Sequence, residues 1–145
     1  MPMAAPEILL YTREAYVEKW VEGELDGGGA TLRVVHTVDE VFTLLVSAPP
    51  PRPQVLILDT DTGALRELLG LSALRDAAWT GTIVALAQRV VPGRLRTTLR
   101  VEASLTQPFH RDDLRSCLRE MLPNEAASIF GRETSRIEII DYNIE

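Results

Sequence analysis

The sequence is poor in residues that carry chemistry on their own. Of its 145 residues one is a cysteine, Cys117, and two are histidines, His36 and His110. A lone cysteine forms no internal disulfide and no cysteine metal site, and two histidines make no cluster. Lysine occurs once, at Lys19, while fourteen residues are arginine. Any chemistry that needs a lysine amine is therefore excluded beyond position 19. No apolar run approaches the ~20 residues that span a bilayer. The opening MPMAAPEILLYTRE has no basic stretch ahead of a long apolar core, so no signal peptide is expected. There is no basic excess either. The net charge is −6, which argues against nucleic-acid binding, because neutralising a phosphate backbone needs a cationic footprint. The glycine run at 27–29 lacks the G-x-G-x-x-G order of a dinucleotide cradle. Repeats and low-complexity tracts are absent. These gaps leave a single cytoplasmic domain without metal, cofactor or membrane insertion, long enough to bury its own core.

What is present is an alternation. EILLY (7–11) reads as a short buried strand, and Thr12 is placed to cap the helix after it. That helix carries Val17, Trp20, Val21 and Leu25 on one stripe. TLRVVHT reads as a second strand. TVDE from Thr37 matches a capping box, with Glu40 placed to reach back to the cap amide. Val38, Val41, Phe42 and Leu45 form the second stripe, and APPPRP ends that helix. QVLILD is a third strand, apolar on both faces. Leu65, Leu68 and Leu69 open a third helix running to about Ala78. TIVALA is a fourth strand, VVPGRLRTTLR a short fourth helix, and EASLTQPF a fifth strand. Leu114, Cys117, Leu118, Met121 and Leu122 mark the fifth helix. Five strand–helix units with short connections predict a parallel sheet with right-handed crossovers and helices on both faces. Ligands and reacting groups of such sheets gather at the carboxyl ends of the strands. Asp59 ends the third strand there.

The order and spacing of these pieces resemble the receiver domain of bacterial response regulators over residues 7–122. The matching stretches are ILLYTRE, VLILD with its terminal aspartate, IVALA, and LTQPF followed by an apolar helix. The resemblance implies a flavodoxin-like α/β fold, a doubly wound parallel sheet in strand order 2-1-3-4-5. It implies that Asp59 matches the aspartate that accepts a phosphoryl group. It also implies partners for that aspartate, most of which are replaced. The acidic pair that holds Mg²⁺ falls on Thr12 and Arg13; a hard cation wants carboxylate oxygens, and Arg13 is itself a cation. Gln107 stands for the lysine that clamps a phosphoryl oxygen. Leu86 or Ala87 stands for the hydroxyl residue after the fourth strand, and Ser104 for the aromatic switch. Pro108 and Phe109 are retained. Asp61 shares a face with Asp59 in extended chain, yet two carboxylates beside an arginine make a poor metal site. The expectation is an ion pair between Arg13 and Asp59 where Mg²⁺ would sit.

The remaining residues have plainer readings. Cys117 lies on an apolar stripe and is expected in the core; His36 and His110 are expected at caps or on the surface. Arg96 and Arg100 stand four apart, and Arg111, Arg115 and Arg119 form a row at helical spacing. With Arg89 and Arg94 they concentrate positive charge around the fourth helix, fifth strand and fifth helix, a face suited to an acidic protein partner. The alternative is a solvated face balanced by Asp112, Asp113 and Glu120. The segment 123–145 is expected to carry a short helix and a strand. Its strand, 137–144, would cover a sheet edge or make a homodimer; the same helix–strand–helix face is a second homodimer candidate. The function expected is that of a degenerate receiver, a non-enzymatic signalling module that binds a protein partner. The rivals are an atypical single-domain regulator phosphorylated on Asp59, and a flavodoxin-like small-molecule or nucleotide-binding domain.

Overall fold

The structure, a computed structural model, describes residues 7–27 and 29–121. The extension 123–145, with its expected helix and its strand at 137–144, lies outside the described residues, as does Leu122. Five strands form the sheet: β1 (Glu7–Tyr11), β2 (Thr31–Val35), β3 (Val55–Asp59), β4 (Thr82–Ala87) and β5 (Ala103–Thr106). Their spatial order is β2-β1-β3-β4-β5, and every pairing is parallel. The parallel pairing is what the strand–helix rhythm predicts, and the order is the flavodoxin-like one that the resemblance to receiver domains implies. β3 is central and every residue of it is buried, which is why VLILD is apolar without alternation.

Between the strands run α1 (Ala15–Leu25), α2 (Val38–Phe42), α3 (Leu65–Leu69), α4 (Ala73–Asp76), α5 (Gly93–Leu99) and α6 (Asp113–Met121). α2 continues as a π-helical turn over Thr43–Ser47, where the Thr43 hydroxyl bonds the carbonyl of Asp39 at 3.0 Å. The third expected helix is broken. Gly70–Ser72 forms a 3₁₀ turn between α3 and α4, as suits a glycine at the junction of two weak helical stretches. The helices expected fourth and fifth are therefore α5 and α6. The capping box at Thr37 forms with one adjustment. The Glu40 amide bonds the Thr37 hydroxyl at 3.1 Å, but the Glu40 carboxylate takes the amide of His36, one residue ahead of the cap.

The period of two along each strand sorts the core into two layers. Leu9, Tyr11, Leu56, Leu58, Ile83 and Ala85 face the side that carries Val41, Leu45, Leu68, Leu71, Leu74 and Leu95. Ile8, Leu10, Val55, Ile57, Val84 and Leu86 face Val17 and Val21 of α1 and Leu114 and Leu118 of α6. The same alternation governs the functional end: continued one step, Thr12 follows Leu10 and Asp59 follows Ile57 onto the α1–α6 side.

Candidate functional site at the carboxyl ends of the strands

Asp59 closes β3 and is 2% exposed. Its oxygen Oδ2 accepts the hydroxyl of Thr12 at 2.6 Å and the hydroxyl of Thr62 at 2.7 Å. Its other oxygen, Oδ1, accepts the amide of Asp61 at 3.1 Å. Each hydroxyl is in turn an acceptor. Thr12 Oγ1 takes the amide of Glu14 at 3.0 Å and Thr62 Oγ1 takes the amide of Arg13 at 3.2 Å. Two amides thus feed two hydroxyls, which converge on one carboxylate oxygen. Such chains polarise one another and strengthen in a dry interior. The next loop joins through Asp61, whose Oδ2 accepts the amide of Gln88 at 2.7 Å. Thr60 adds its amide and hydroxyl to the carbonyl of Leu86, at 2.9 Å and 2.8 Å. The loops after β1, β3 and β4 are tied together by this one network.

Arg13 does not pair with Asp59. Its Nε donates to the carbonyl of His36 at 2.9 Å, and the side chain is exposed. Strand alternation explains the correction: the residue after Thr12 leaves the face on which Asp59 stands, so the guanidinium points toward the loop after β2. The backbone of Arg13, not its charge, joins the network. Thr12 is corrected too. Glu14 is the cap position of α1, and the Thr12 hydroxyl holds that turn through the Glu14 amide while donating to Asp59. His36 is fastened on both sides, its Nδ1 lying 2.8 Å from the carbonyl of Thr12; since a carbonyl only accepts, Nδ1 carries the proton.

The other expected site positions sit around this knot without entering it. Leu86 lies beside Asp59 in the β3–β4 register and is fully buried. Gln107 gives its amide to the hydroxyl of Tyr16 at 2.9 Å. Ser104, on β5, accepts from Nη2 of Arg96 at 3.0 Å. Phe109 stacks on Trp20 with ring centroids 4.5 Å apart, which docks the loop after β5 on α1. A divalent cation fits poorly here. The Thr12 oxygen is committed as donor and acceptor, both oxygens of Asp59 are occupied, and Asp61 is bonded to Gln88. Among the described residues no three His, Cys, Asp or Glu groups stand together in a way that would hold a metal.

The arginines divide. Arg96, Arg100 and Arg111 are exposed. Arg115 is not: it is 7% exposed, its Nε bonds the carbonyl of Glu24, and its Nη2 bonds the carbonyl of Asp26 at 2.7 Å. It belongs to the joint between α1 and α6, and the row at 111, 115 and 119 is not a continuous exposed stripe; Arg119 is partly buried. Cys117 is half-buried rather than core, and burial pushes its thiol up to about 11.

Three residues escaped sequence reasoning. Thr62 was signalled by DTDT, in which a hydroxyl three residues after a strand-end aspartate can fold back onto it. Glu24 was signalled by its place on the apolar stripe of Val17 and Val21. It is buried, and its two oxygens accept the amides of Asp112 and Leu114, both at 2.9 Å, so it caps α6 from another helix. Burial raises its carboxyl above the ordinary range, against the pull of those backbone bonds. Tyr11 had no signal beyond ending a strand. Its hydroxyl is buried without a hydrogen-bond partner, and a Cβ on Gly63, whose φ is +106°, would lie 3.3 Å from it.

No family model matches the sequence, and no curated protein matches it. Solved structures do. The chemotaxis protein CheY4 of Vibrio cholerae superposes with a TM-score of 0.69 at 18% identity, over 82% of this chain and all of that one. A CheY-like response-regulator receiver domain from Methanospirillum hungatei gives 0.69 at 11% identity, over 83% of this chain and 96% of that one. A signal receiver domain of a two-component histidine kinase from Clostridium thermocellum gives 0.65 at 17%, over 79% and 95%. With identities this low the likeness is one of fold: the chain has the CheY-like, flavodoxin-type receiver architecture.

Proposed function

We propose that this chain is a receiver-type signalling module that binds a protein partner without a phosphoryl-driven switch. The observation that carries the reading is the state of Asp59. Accepting a phosphoryl group requires a carboxylate oxygen to reach phosphorus, with a cation to neutralise the charge that builds up. Here Oδ2 lies under two threonine hydroxyls and the whole group is 2% exposed. Where the receiver pattern has carboxylates for the cation, this chain has a hydroxyl that is already bonded and an arginine turned elsewhere. Opening the site would break at least two charge-assisted bonds before chemistry began. The test is incubation with acetyl phosphate and Mg²⁺, followed by intact mass. The expected result is no phosphoryl adduct. An adduct that Asp59→Asn abolishes would establish the rival, an atypical phosphoacceptor.

The surface that fits partner binding lies on and around α5. Residues 77–101 contain no Asp or Glu but four arginines, Arg89, Arg94, Arg96 and Arg100, all exposed. Val90, 71% exposed, stands among them. In a protein of net charge −6 this arginine-bearing stretch, with Asp61 and Glu102 at its two ends, would steer an acidic partner. A pull-down from native lysate tests it, with Arg94, Arg96, Arg100 and Arg111 each changed to Glu. The captured partner should be lost from the variant while the fold remains.

A further inference from the structure

We infer that the opposite end of the sheet, where the strands begin, carries a binding site for a small organic anion with a flat apolar body. The inference does not depend on the reading of Asp59, which lies at the other end of the sheet; Arg100, at the edge of the adjoining hollow, is shared with the proposed partner surface. A cavity of about 460 Å³ opens between the segments that lead into β3 and β4, within the range of small-molecule sites. Its apolar wall is Pro53 and Trp79, and its polar rim is Arg52, Gln54, Thr80 and Thr82. A second hollow of about 310 Å³ shares Trp79 and Thr80 with it and adds Arg75, Arg100 and the carboxylate Glu102.

The wall is held in place. Trp79 Nε1 donates to the carbonyl of Pro53 at 3.1 Å, and the Arg75 guanidinium lies over the indole at 5.3 Å. The ring rests directly on the backbone of Gly81: a Cβ there would fall 2.1 Å from Trp79 Cζ2 and 2.6 Å from the carbonyl oxygen of Gln54. Only a glycine lets the indole close this side of the cavity.

The rim offers donors and no carboxylate. Arg52 spends its Nε on the carbonyl of Ala48 at 2.8 Å, which leaves its two terminal nitrogens without a partner among the described residues. A guanidinium presents paired donors that match a carboxylate or phosphate. The acids at neighbouring strand starts do not compete for it. Glu7 is paired with Arg33 at 2.9 Å, and Glu102 with Arg75 at 3.3 Å. An anionic head at Arg52, with its ring against Pro53 and Trp79 and a polar edge toward Thr80 or Gln54, uses every kind of surface the cavity presents.

The test uses the full chain and ¹H–¹⁵N NMR, with benzoate and phenyl phosphate as probes and benzyl alcohol as the uncharged control. The protein has two tryptophans, so Trp20→Phe assigns the Trp79 indole signal. Both anions, or one of them, should shift that signal and the Gly81 amide saturably, while the Asp61 amide stays still. Benzoate alone points to a carboxylate ligand, phenyl phosphate alone to a phosphate ester. Arg52→Gln should weaken binding about tenfold, the order expected for losing one charge-assisted interaction, and Arg52→Lys should restore part of it. Arg52 is exposed, so neither change threatens the fold. No saturable shift at about 10 mM probe, an affinity too weak to count as a site, overturns the inference. So does equal binding of benzyl alcohol, or indifference to Arg52→Gln.

Discussion

Replacing Asp59 by alanine asks directly whether this carboxylate holds the domain together or is a burden it carries. The change removes one acceptor and strands three donors: the hydroxyls of Thr12 and Thr62 and the amide of Asp61. A buried polar group left without its partner costs about 1–3 kcal/mol. Two effects offset part of that. The two hydroxyls lie 3.5 Å apart and can bond each other once the carboxylate is gone, and burying a charge no longer has to be compensated. The net expectation is a loss of about 3 kcal/mol. For 145 residues, at about 2.1 cal/mol/K of unfolding entropy per residue, that lowers Tm by about 10 °C. Asp59→Asn keeps one oxygen acceptor and should lose about half as much. Scanning calorimetry at neutral pH, without added Mg²⁺, gives both values. An Asp59→Ala protein as stable as the parent, or more stable, would mean that the carboxylate does not hold the three loops together. Stabilisation on removing a residue is what a strained site kept for chemistry shows, and the phosphoacceptor reading would then deserve preference.

Three further outcomes follow from the same geometry. Glu24 has its carboxyl raised by burial, so the stability it contributes is fully present below its unfolded-state pKa and is lost as pH rises through the higher folded value. The Tm of the parent relative to Glu24→Gln should therefore fall as pH rises from the ordinary carboxylate range, with Asp112 and Arg115 as the charged neighbours; a flat difference would contradict the burial effect. Arg115→Ala breaks the bonds to the carbonyls of Glu24 and Asp26 and should cost about 2–3 kcal/mol in urea unfolding. It should leave partner capture by the folded fraction intact, unlike reversal of the exposed arginines near α5. Tyr11→Phe removes a buried hydroxyl that has no partner, so stability should be unchanged or rise by up to about 1 kcal/mol; a clear loss in thermal unfolding would mean that the hydroxyl is satisfied in solution.

The alternation of strands and helices was legible because buried parallel strands write themselves as short apolar runs, and amphipathic helices as stripes. The break at Gly70–Ser72 was harder to read, since Leu65, Leu68 and Leu69 continue a helical stripe up to the glycine. At the site, the sequence shows which strand ends carry Thr12, Arg13 and Asp59, and not which way each side chain turns. Thr12 and Arg13 both follow β1, so either could meet Asp59 in a one-dimensional reading. Which one does is settled by face, and the sheet places Thr12 with Leu10 and Ile57 on the α1–α6 side. The arginine row failed for a related reason. Spacing of four puts Arg111, Arg115 and Arg119 near one another, but it does not say which of them turns inward. Arg115 does, because the end of α1 presents two carbonyls there.

The same correction changes what Asp59 means. An arginine paired with it would be a charge standing in for a metal, and such a pair could exchange for the metal when conditions allowed. Two hydroxyls are different: they are neutral, they belong to two loops, and each is fixed in turn by a backbone amide. Releasing Oδ2 therefore breaks bonds to the turn into α1 and to the turn after β3 at once. Asp61, bonded to Gln88, ties the loop after β4 to the same turn. A carboxylate bound in this way acts as a rivet between three loops, and its negative charge is what makes each of those bonds strong. On the proposed reading, this is the role of an acid at the end of an apolar strand: it anchors three loops.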